Sequence, residues 1–338
     1  MIANIRILPS GREFCAGPHE TILDAALRAG IPLTYSCNNG SCGECRARLV
    51  NGSIGETRYH DYRFSEAEQA AGYFLTCRSS AADDLEIEAG EAGGVEDIPI
   101  QRITAQVYKL EHPHPDVMVV HLRTPRSKTL RFLAGQHVML EIEGLPPRNK
   151  SIASCPCMAM NLQFHIRRAP GDPFSEYCFS ALKVGQQVTV TGPTGAFTFD
   201  DEANRPVIFL AYDTGFAPIK SLIEHAISLD FSLPMHLYWV APNAANHYLD
   251  NYCRSWLDAF SNFSFTPLVG DEAGDDSLPV VDHNLLLGAR RIIADYPDLA
   301  PFEVYVNGPE SAMSQTRSLL LEHGLPESRL HIDSYLRF

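Results

Sequence analysis

The stretch on which the reading turns is Ser36-Cys37-Asn38-Asn39-Gly40-Ser41-Cys42-Gly43-Glu44-Cys45. Its cysteines are spaced C-x4-C-x2-C, and another, Cys77, follows in Tyr73-Phe-Leu-Thr-Cys77. Four thiolates at that spacing hold the two irons of a plant-type [2Fe–2S] centre. Gly40 and Gly43 permit the backbone angles of a loop that must wrap a small cluster. Ser36, Asn38, Asn39 and Ser41 place small polar groups and their N–H donors near sulfide and thiolate charge. Zinc and scattered core thiols are the competing readings, but structural zinc usually shows two paired knuckles, and Cys77 stands alone. The spacing therefore predicts Cys37, Cys42, Cys45 and Cys77 as metal ligands.

Outward from this loop, residues 4–8 and 12–15 read as a hairpin around Pro9-Ser10-Gly11. Residues 21–29 carry apolar side chains at 22, 23, 26 and 27 and end at Gly30, a helix followed by its usual stop. Residues 46–50 run as a strand to the Asn51-Gly52 turn. Cys15 is expected to be a small buried side chain. The Gly- and acid-rich run Ala89-Gly-Glu-Ala-Gly-Gly-Val-Glu-Asp97 marks a boundary. Short alternating segments at 117–122, 137–142, 162–167 and 187–190, parted by Gly and Pro, predict an antiparallel barrel. After a second seam at 200–206, strands at 207–211, 235–240, 264–268, 302–306 and 329–332 alternate with helices at 218–228, 251–260, 282–295 and 311–323. That alternation implies a doubly wound parallel sheet. The expected domains are 1–92, 100–202 and 203–338.

Length and composition agree with this division. At roughly 100–200 residues per domain, 338 residues allow two or three. A 45% hydrophobic content excludes disorder and low-complexity arrays. Lys and Arg number 27 against 41 Asp and Glu, a net charge of −14, which argues against a nucleic-acid or anionic-membrane partner. No run approaches the ~18 apolar residues of a membrane span. The N-terminus reads as a first strand rather than a secretory signal, so a cytoplasmic location is expected. Nine cysteines, an odd number, argue against a disulfide framework.

With these motifs in place, the chain resembles the ferredoxin–NAD(P)H reductase superfamily, in the version with a fused N-terminal [2Fe–2S] domain. Bacterial oxygenase reductases and CDP-6-deoxy-glucoseen reductases share this order. The resemblance rests on residues 37–45, Ala134-Gly-Gln136, Arg148-Asn-Lys-Ser-Ile-Ala153, Phe164-His-Ile-Arg167, Gly192-Pro-Thr-Gly-Ala-Phe197, Phe209-Leu-Ala211, Thr214-Gly-Phe-Ala-Pro-Ile-Lys-Ser221 and Leu237-Tyr-Trp239. It implies a β-grasp ferredoxin domain, an antiparallel flavin-binding β-barrel and a doubly wound nucleotide-binding domain. It also implies FAD and a nicotinamide donor.

Carried over residue by residue, the family's R-x-Y-S flavin segment falls on Arg148 and Ser151, with Lys150 where an aromatic ring should stack. Its Gly-Gly-x-x-Ser helix start, which holds the pyrophosphate on backbone N–H groups, falls on Gly171, Asp172 and Ser175. His165 and Arg167 join the cofactor-binding set. The Gly-Gly-Thr-Gly-x-Ala-Pro nicotinamide turn becomes Tyr212-Asp213-Thr214-Gly215-Phe216-Ala217-Pro218, with Asp213 adding bulk and charge. Asn307, in Asn307-Gly308-Pro309, replaces a cysteine beside the nicotinamide. Ser151 and Asn307 are the candidate catalytic residues. Tyr335 is a further candidate, able to supply the ring that position 150 lacks. Ala241-Pro-Asn-Ala-Ala-Asn-His247 has no cation for a 2′-phosphate, which favours NADH without excluding NADPH.

The expected function is an iron–sulfur flavoprotein reductase passing electrons from NAD(P)H through flavin and cluster to a redox protein acceptor, such as an oxygenase or dehydratase component. The alternative is an electron-transfer or interaction subunit whose degenerate flavin and nicotinamide site does not itself oxidise NAD(P)H. His112-Pro-His114 is expected to be a solvated turn rather than a metal site, Cys155-Pro-Cys157 two packed thiols rather than a redox-active pair, and residues 271–276 a solvated acidic turn.

Overall fold

The computed structural model describes residues 2–35, 40–91, 97–125, 129–158, 160–270 and 280–335. Cys37, Asn38, Asn39 and the acidic stretch 271–276 lie outside them.

In the first unit, alternation of buried Ala3, Ile5 and Ile7 with exposed Asn4 and Arg6 makes β1 (Ala3–Leu8) a half-buried strand. It pairs antiparallel with β2 (Glu13–Ala16), where Phe14 and Ala16 point inward. Cys15, between them, is consequently exposed, contrary to the expected burial. Helix α1 (Ile22–Arg28) begins where the Thr21 hydroxyl accepts the Asp24 N–H at 3.1 Å. It buries Ile22, Leu23, Ala25 and Ala26. The unit continues with β3 (Arg46–Asn51), β4 (Ile54–Thr57), α2 (Glu66–Ala70), β5 (Tyr73–Leu75), β6 (Ser79–Ala81) and β7 (Leu85–Ala89). Its main sheet has the order β2-β1-β7-β3-β5, with β1 and β7 parallel, as in a β-grasp.

A six-stranded antiparallel sheet follows: β8 (Gln101–His114), β9 (Val117–Arg123), β10 (His137–Glu141), β11 (Arg148–Ser151), β12 (Asn161–Arg167) and β13 (Gln187–Thr194), ordered β11-β10-β13-β8-β9-β12. Helix α3 (Pro173–Ser180) is inserted before β13. The two edge strands curl towards each other, and the Ala153 N–H donates to the Gln163 carbonyl at 2.8 Å, nearly closing a barrel. His112 and His114 belong to the end of β8, so they form a strand rather than the expected turn.

The third unit is a parallel sheet of β14 (Val207–Tyr212), β15 (Met235–Ala241), β16 (Phe263–Val269), β17 (Glu303–Pro309) and β18 (Leu330–Tyr335). Helices α4 (Phe216–Ser228), α5 (Asp250–Ala259), α6 (Val280–Asp295) and α7 (Glu310–Glu322) connect them. β14 and β17 are buried throughout, as a sheet covered on both faces requires. The order β16-β15-β14-β17-β18 reverses direction between β14 and β17. The crevice beyond their carboxyl ends is where doubly wound folds bind nucleotides.

Barrel and parallel sheet meet along a buried polar seam. Lys220, only 3% exposed, donates to the Ala153 carbonyl at 3.1 Å, to Gln163 Oε1 at 3.2 Å and to Glu224 at 2.6 Å. The Ser221 hydroxyl donates to the Ser154 carbonyl at 2.7 Å. His165 Nδ1 meets the Tyr248 hydroxyl at 2.8 Å. Buried polar groups are costly unless paired, so each bond favours one relative placement of the two units. Replacing Lys220 by Ala is expected to destabilise the protein by about 3 kcal/mol, because Glu224 and Gln163 lose their buried partner. Urea unfolding monitored by fluorescence checks this, and a loss below about 1 kcal/mol contradicts the seam's assigned weight.

Candidate functional site

Three of the four predicted metal ligands are among the described residues. Cys45 and Cys77 are buried with their sulfurs 3.1 Å apart, while Cys42 is exposed on the same loop and its sulfur accepts the Glu44 N–H at 3.4 Å. Among the described residues no three His, Cys, Asp or Glu side chains converge on one ion. The remaining predicted ligand, Cys37, lies outside the described residues.

The surroundings nevertheless fit an anionic cluster. Gly40 (φ +82°) and Gly43 (φ +77°) hold the left-handed turns that the loop needs. A Cβ on Gly43 would lie 2.1 Å from the Tyr62 ring, and one on Gly40 would lie 2.5 Å from His60 Cβ. Among the described residues, Arg78 Nε, next to Cys77 and packed on Gly40, is buried with no hydrogen-bond partner, and so is Arg131 Nη2 across the junction with the barrel. Buried orphan donors of this kind are rare, and an acceptor-rich group relieves them.

The flavin candidates gather along β11 and the start of α3. Arg148, Lys150 and Ser151 lie on β11, with Ser151 opposite His137 and Lys150 opposite Val138 of β10. The Arg148 guanidinium reaches Asp172 through Nε at 2.9 Å and Nη2 at 2.5 Å. Asp172 also caps α3, accepting the Ser175 N–H at 3.0 Å. Burial raises the Asp172 carboxyl, but the Ser175 N–H and Arg148 outweigh it and hold the group below its ordinary range. Burial lowers the Lys150 ammonium from its ordinary value against the pull of Asp172. Gly171 is exposed, in the left-handed region at φ +82°, with open space where a Cβ would be. Arg148 and the α3 N-terminus together can grip a phosphate, yet Asp172 already satisfies both. The residues thus fit a flavin, with an internal carboxylate competing for its phosphate-binding groups.

The nicotinamide candidates sit at the reversal between β14 and β17. Asp213 is 1% exposed, adopts φ +49°, and is forked by Arg167 from β12, Nε to Oδ2 at 2.9 Å and Nη1 to Oδ1 at 3.0 Å. Its carbonyl accepts the Trp239 indole N–H at 3.0 Å. Thr214 is half-buried and Pro218 is buried in the first turn of α4. Gly215 must lack a side chain, because a Cβ would come within 2.6 Å of Asn307 Oδ1 and 2.7 Å of its carbonyl. Asn307 is buried and donates to Asp333 at 3.0 Å. Burial raises the Asp333 carboxyl from its ordinary value. The Tyr335 hydroxyl donates to the Tyr212 carbonyl at 3.2 Å, which places Tyr335 over the end of β14.

Sequence reasoning missed Lys220, Tyr248 and Trp239. Lys220 carried a readable signal: a lone cation among Phe216, Ala217, Pro218, Ile219, Leu222 and Ile223 needs a buried partner. Cys155 and Cys157, expected as two packed thiols, are joined by a disulfide. They lie in a turn that packs against both α1 and α4.

Comparison with known proteins follows the same division. The family model of the 2Fe-2S iron-sulfur cluster binding domain matches residues 5–82, and that of the oxidoreductase FAD-binding domain matches residues 104–199. Across its length the chain is 33% identical over 336 residues to the CDP-6-deoxy-L-threo-D-glycero-4-hexulose-3-dehydrase reductase of Yersinia pseudotuberculosis, covering 99% of either chain. The chain belongs to the ferredoxin–NAD(P)H reductase superfamily, in its branch with a fused N-terminal [2Fe–2S] domain. This member of the superfamily is also 30% identical over 334 residues to the propane 2-monooxygenase reductase component of Gordonia sp. strain TY-5, covering 97% of this chain and 95% of the other. Its fold is similar to that of the Amycolatopsis cytochrome P450 reductase GcoB, with a TM-score of 0.63 at 25% identity over 99% of both chains. It is an NAD(P)H-dependent oxidoreductase that transfers electrons, with an iron–sulfur and a flavin domain. No helix among the described residues is long and apolar enough to cross a membrane.

His165 supplies a test of the cleft's wall. Burial pushes its imidazole well below the ordinary 6.5, and its Nε2 has no hydrogen-bond partner. A depressed histidine contributes stability above its unfolded value that is lost as the pH falls. Between pH 6.5 and 5, His165→Phe is expected to remove up to about 1.4 kcal/mol per pH unit from the acid slope of stability. Parallel urea titrations of the two proteins measure that slope. Equal slopes would show that His165 titrates in the folded protein as it does in the unfolded chain.

Proposed function

We propose that this reductase takes electrons from NADH at the crevice between β14 and β17 and delivers them to a redox protein acceptor of the oxygenase or dehydratase type. The observation that carries the reading is the convergence of two sets of groups. The Arg148–Ser151 strand of the barrel and the Asp213–Gly215 turn of the parallel sheet belong to units held in register by the Lys220 seam. A bound flavin accepts the electron pair of a hydride and releases electrons singly, as an iron–sulfur centre requires.

Around such a group, Arg148 and the α3 N-terminus would hold phosphate, and Ser151 would offer a hydroxyl at the strand end. The Thr214–Gly215 backbone would border the nicotinamide, with Asn307, packed on Gly215, and Tyr335 beside it. The absence of Arg or Lys from residues 241–247, just after β15, supports NADH over NADPH. Exposed Ser41, Cys42 and Glu44 support the cluster loop as the acceptor's docking surface. Units of 1–92, 100–202 and 203–338 and a cytoplasmic location complete the proposal.

Anaerobic titration with NADH, followed by visible absorbance, tests it. Bleaching of both flavin and cluster bands is expected. Reduction by dithionite alone would favour the second reading, a subunit that receives its electrons from another donor. The ion pairs Arg167–Asp213 and Arg148–Asp172 are the observations that favour that reading, since each sets an internal carboxylate against a group that would bind cofactor. Removing the first carboxylate separates the two. Asp213→Gly frees Arg167 at a position whose φ suits glycine, and it is expected to tighten NADH binding about tenfold, or 1.4 kcal/mol. Unchanged or weaker binding, read by the NADH dependence of reduction rate, would show that Asp213 does not compete with the nucleotide.

A further inference from the structure

We propose that Arg131, contributed by the flavin barrel, is the countercharge of the iron–sulfur centre in the neighbouring unit, favouring the centre's reduced form. This rests on the cluster reading given above. Arg131 sits between β9 and β10, 7% exposed, with its guanidinium 5.5 Å from the ring centroid of Tyr35. Tyr35 is two residues before the predicted ligand Cys37. The side chain is not there by default of the backbone, which is separately fixed. The Arg131 N–H donates to Gln101 Oε1 at 3.0 Å, and its carbonyl accepts from Gln101 Nε2 at 2.8 Å. The neighbouring Thr129 hydroxyl reaches the Tyr35 hydroxyl at 3.4 Å, so the barrel segment is docked on the residue that leads into the cluster loop.

What makes Arg131 more than a packing residue is its unmet donor. Among the described residues, the buried Nη2 has no hydrogen-bond partner and no salt bridge neutralises the guanidinium. Burying an unpaired cation is costly, and protein interiors seldom retain one without an anion nearby. Burial lowers the Arg131 guanidinium from its ordinary value, and the carboxylates that oppose this, Glu44 and Asp97, stand on the cluster loop and the linker. Four thiolates and two sulfides supply both negative charge and acceptors. Reduction of the centre adds one electron and one negative charge, with no bond made or broken and no proton required. A fixed cation in a low-dielectric junction stabilises that extra charge more than it stabilises the oxidised form. Because the cation belongs to the unit that binds flavin, undocking the two units would remove it, which ties ready reduction of the centre to the docked arrangement.

The test is a potentiometric titration of the full-length protein, with the centre followed by visible absorbance and electron paramagnetic resonance. Arg131→Leu is expected to lower the equilibrium constant for reduction about tenfold, a shift of about 59 mV for a one-electron couple. Arg131→Lys, which keeps the charge, is expected to stay within about threefold of wild type, and Arg131→Gln is a milder neutral variant should the Leu protein fold poorly. The shift should persist at high salt, since a buried pair is little screened. Unchanged potentials in both neutral variants would overturn the proposal. So would an equal shift in the Lys variant, which would assign the effect to altered packing rather than charge. A wild-type protein prepared anaerobically without a cluster spectrum would overturn the cluster reading itself, and the proposal with it.

Discussion

The architecture depends on a lysine that cannot reach water. Lys220 lies within the apolar run of α4, and its ammonium is satisfied jointly by Glu224 on its own helix and by the Ala153 carbonyl and Gln163 that the barrel delivers to it. Breaking a buried, paired charge costs several kcal/mol, so the nucleotide sheet and the barrel have one strongly favoured placement. Ser221 and Ser154, His165 and Tyr248, and Arg167 and Asp213 extend the same constraint along the seam. The consequence is functional. Strand β12 is thereby fixed against the parallel sheet through Gln163 and Arg167, and β11, with Arg148, Lys150 and Ser151, is tied to β12 by the Ala153 N–H.

Two acidic residues give this crevice its particular electrostatics. Asp172 caps α3 and pairs with Arg148, and Asp213 closes β14 and pairs with Arg167. Each stands where the superfamily pattern has glycine, and each carboxylate meets donors suited to an anion. An internal carboxylate at a helix N-terminus is favourable for the same reason that a phosphate is, so the two compete for the same dipole and the same guanidinium. The sites are charge-balanced without ligand. On the proposed reading, affinity for flavin and nucleotide would depend on how readily Asp172 and Asp213 yield these partners.

Much of this was legible in the sequence where the determinants are local. The ligand spacing from Cys37 to Cys45 lies within one loop, and the strand–helix alternation after residue 207 repeats at short range, so both fold class and cluster reading follow from short windows. Gly215 was legible only as part of the nicotinamide turn; the group that approaches it, the backbone and amide of Asn307, is ninety-two positions away. What could not be read depends on distant pairing. Nothing near Lys220 announces Gln163, and nothing near Arg131 announces Tyr35. Cys15 was misread because its neighbours Phe14 and Ala16 are the ones a half-buried strand turns inward. His112 and His114 were misread because β8 runs on past Pro113 to the hairpin turn. The Cys155–Cys157 pairing was missed because its place just after the flavin segment favours packed thiols as the reading over a redox-active pair.

Native-state hydrogen exchange is the most direct measurement of whether the seam makes barrel and sheet one cooperative unit. The account predicts that amides of Ala153, Gln163 and Ile166 in the barrel and of Leu210, Leu222 and Ile223 in the parallel sheet exchange with one common opening free energy and one common denaturant dependence. Distinct opening energies, with the sheet exchanging while the barrel stays protected, would contradict it and leave the flavin strand and the nicotinamide turn without a fixed relation.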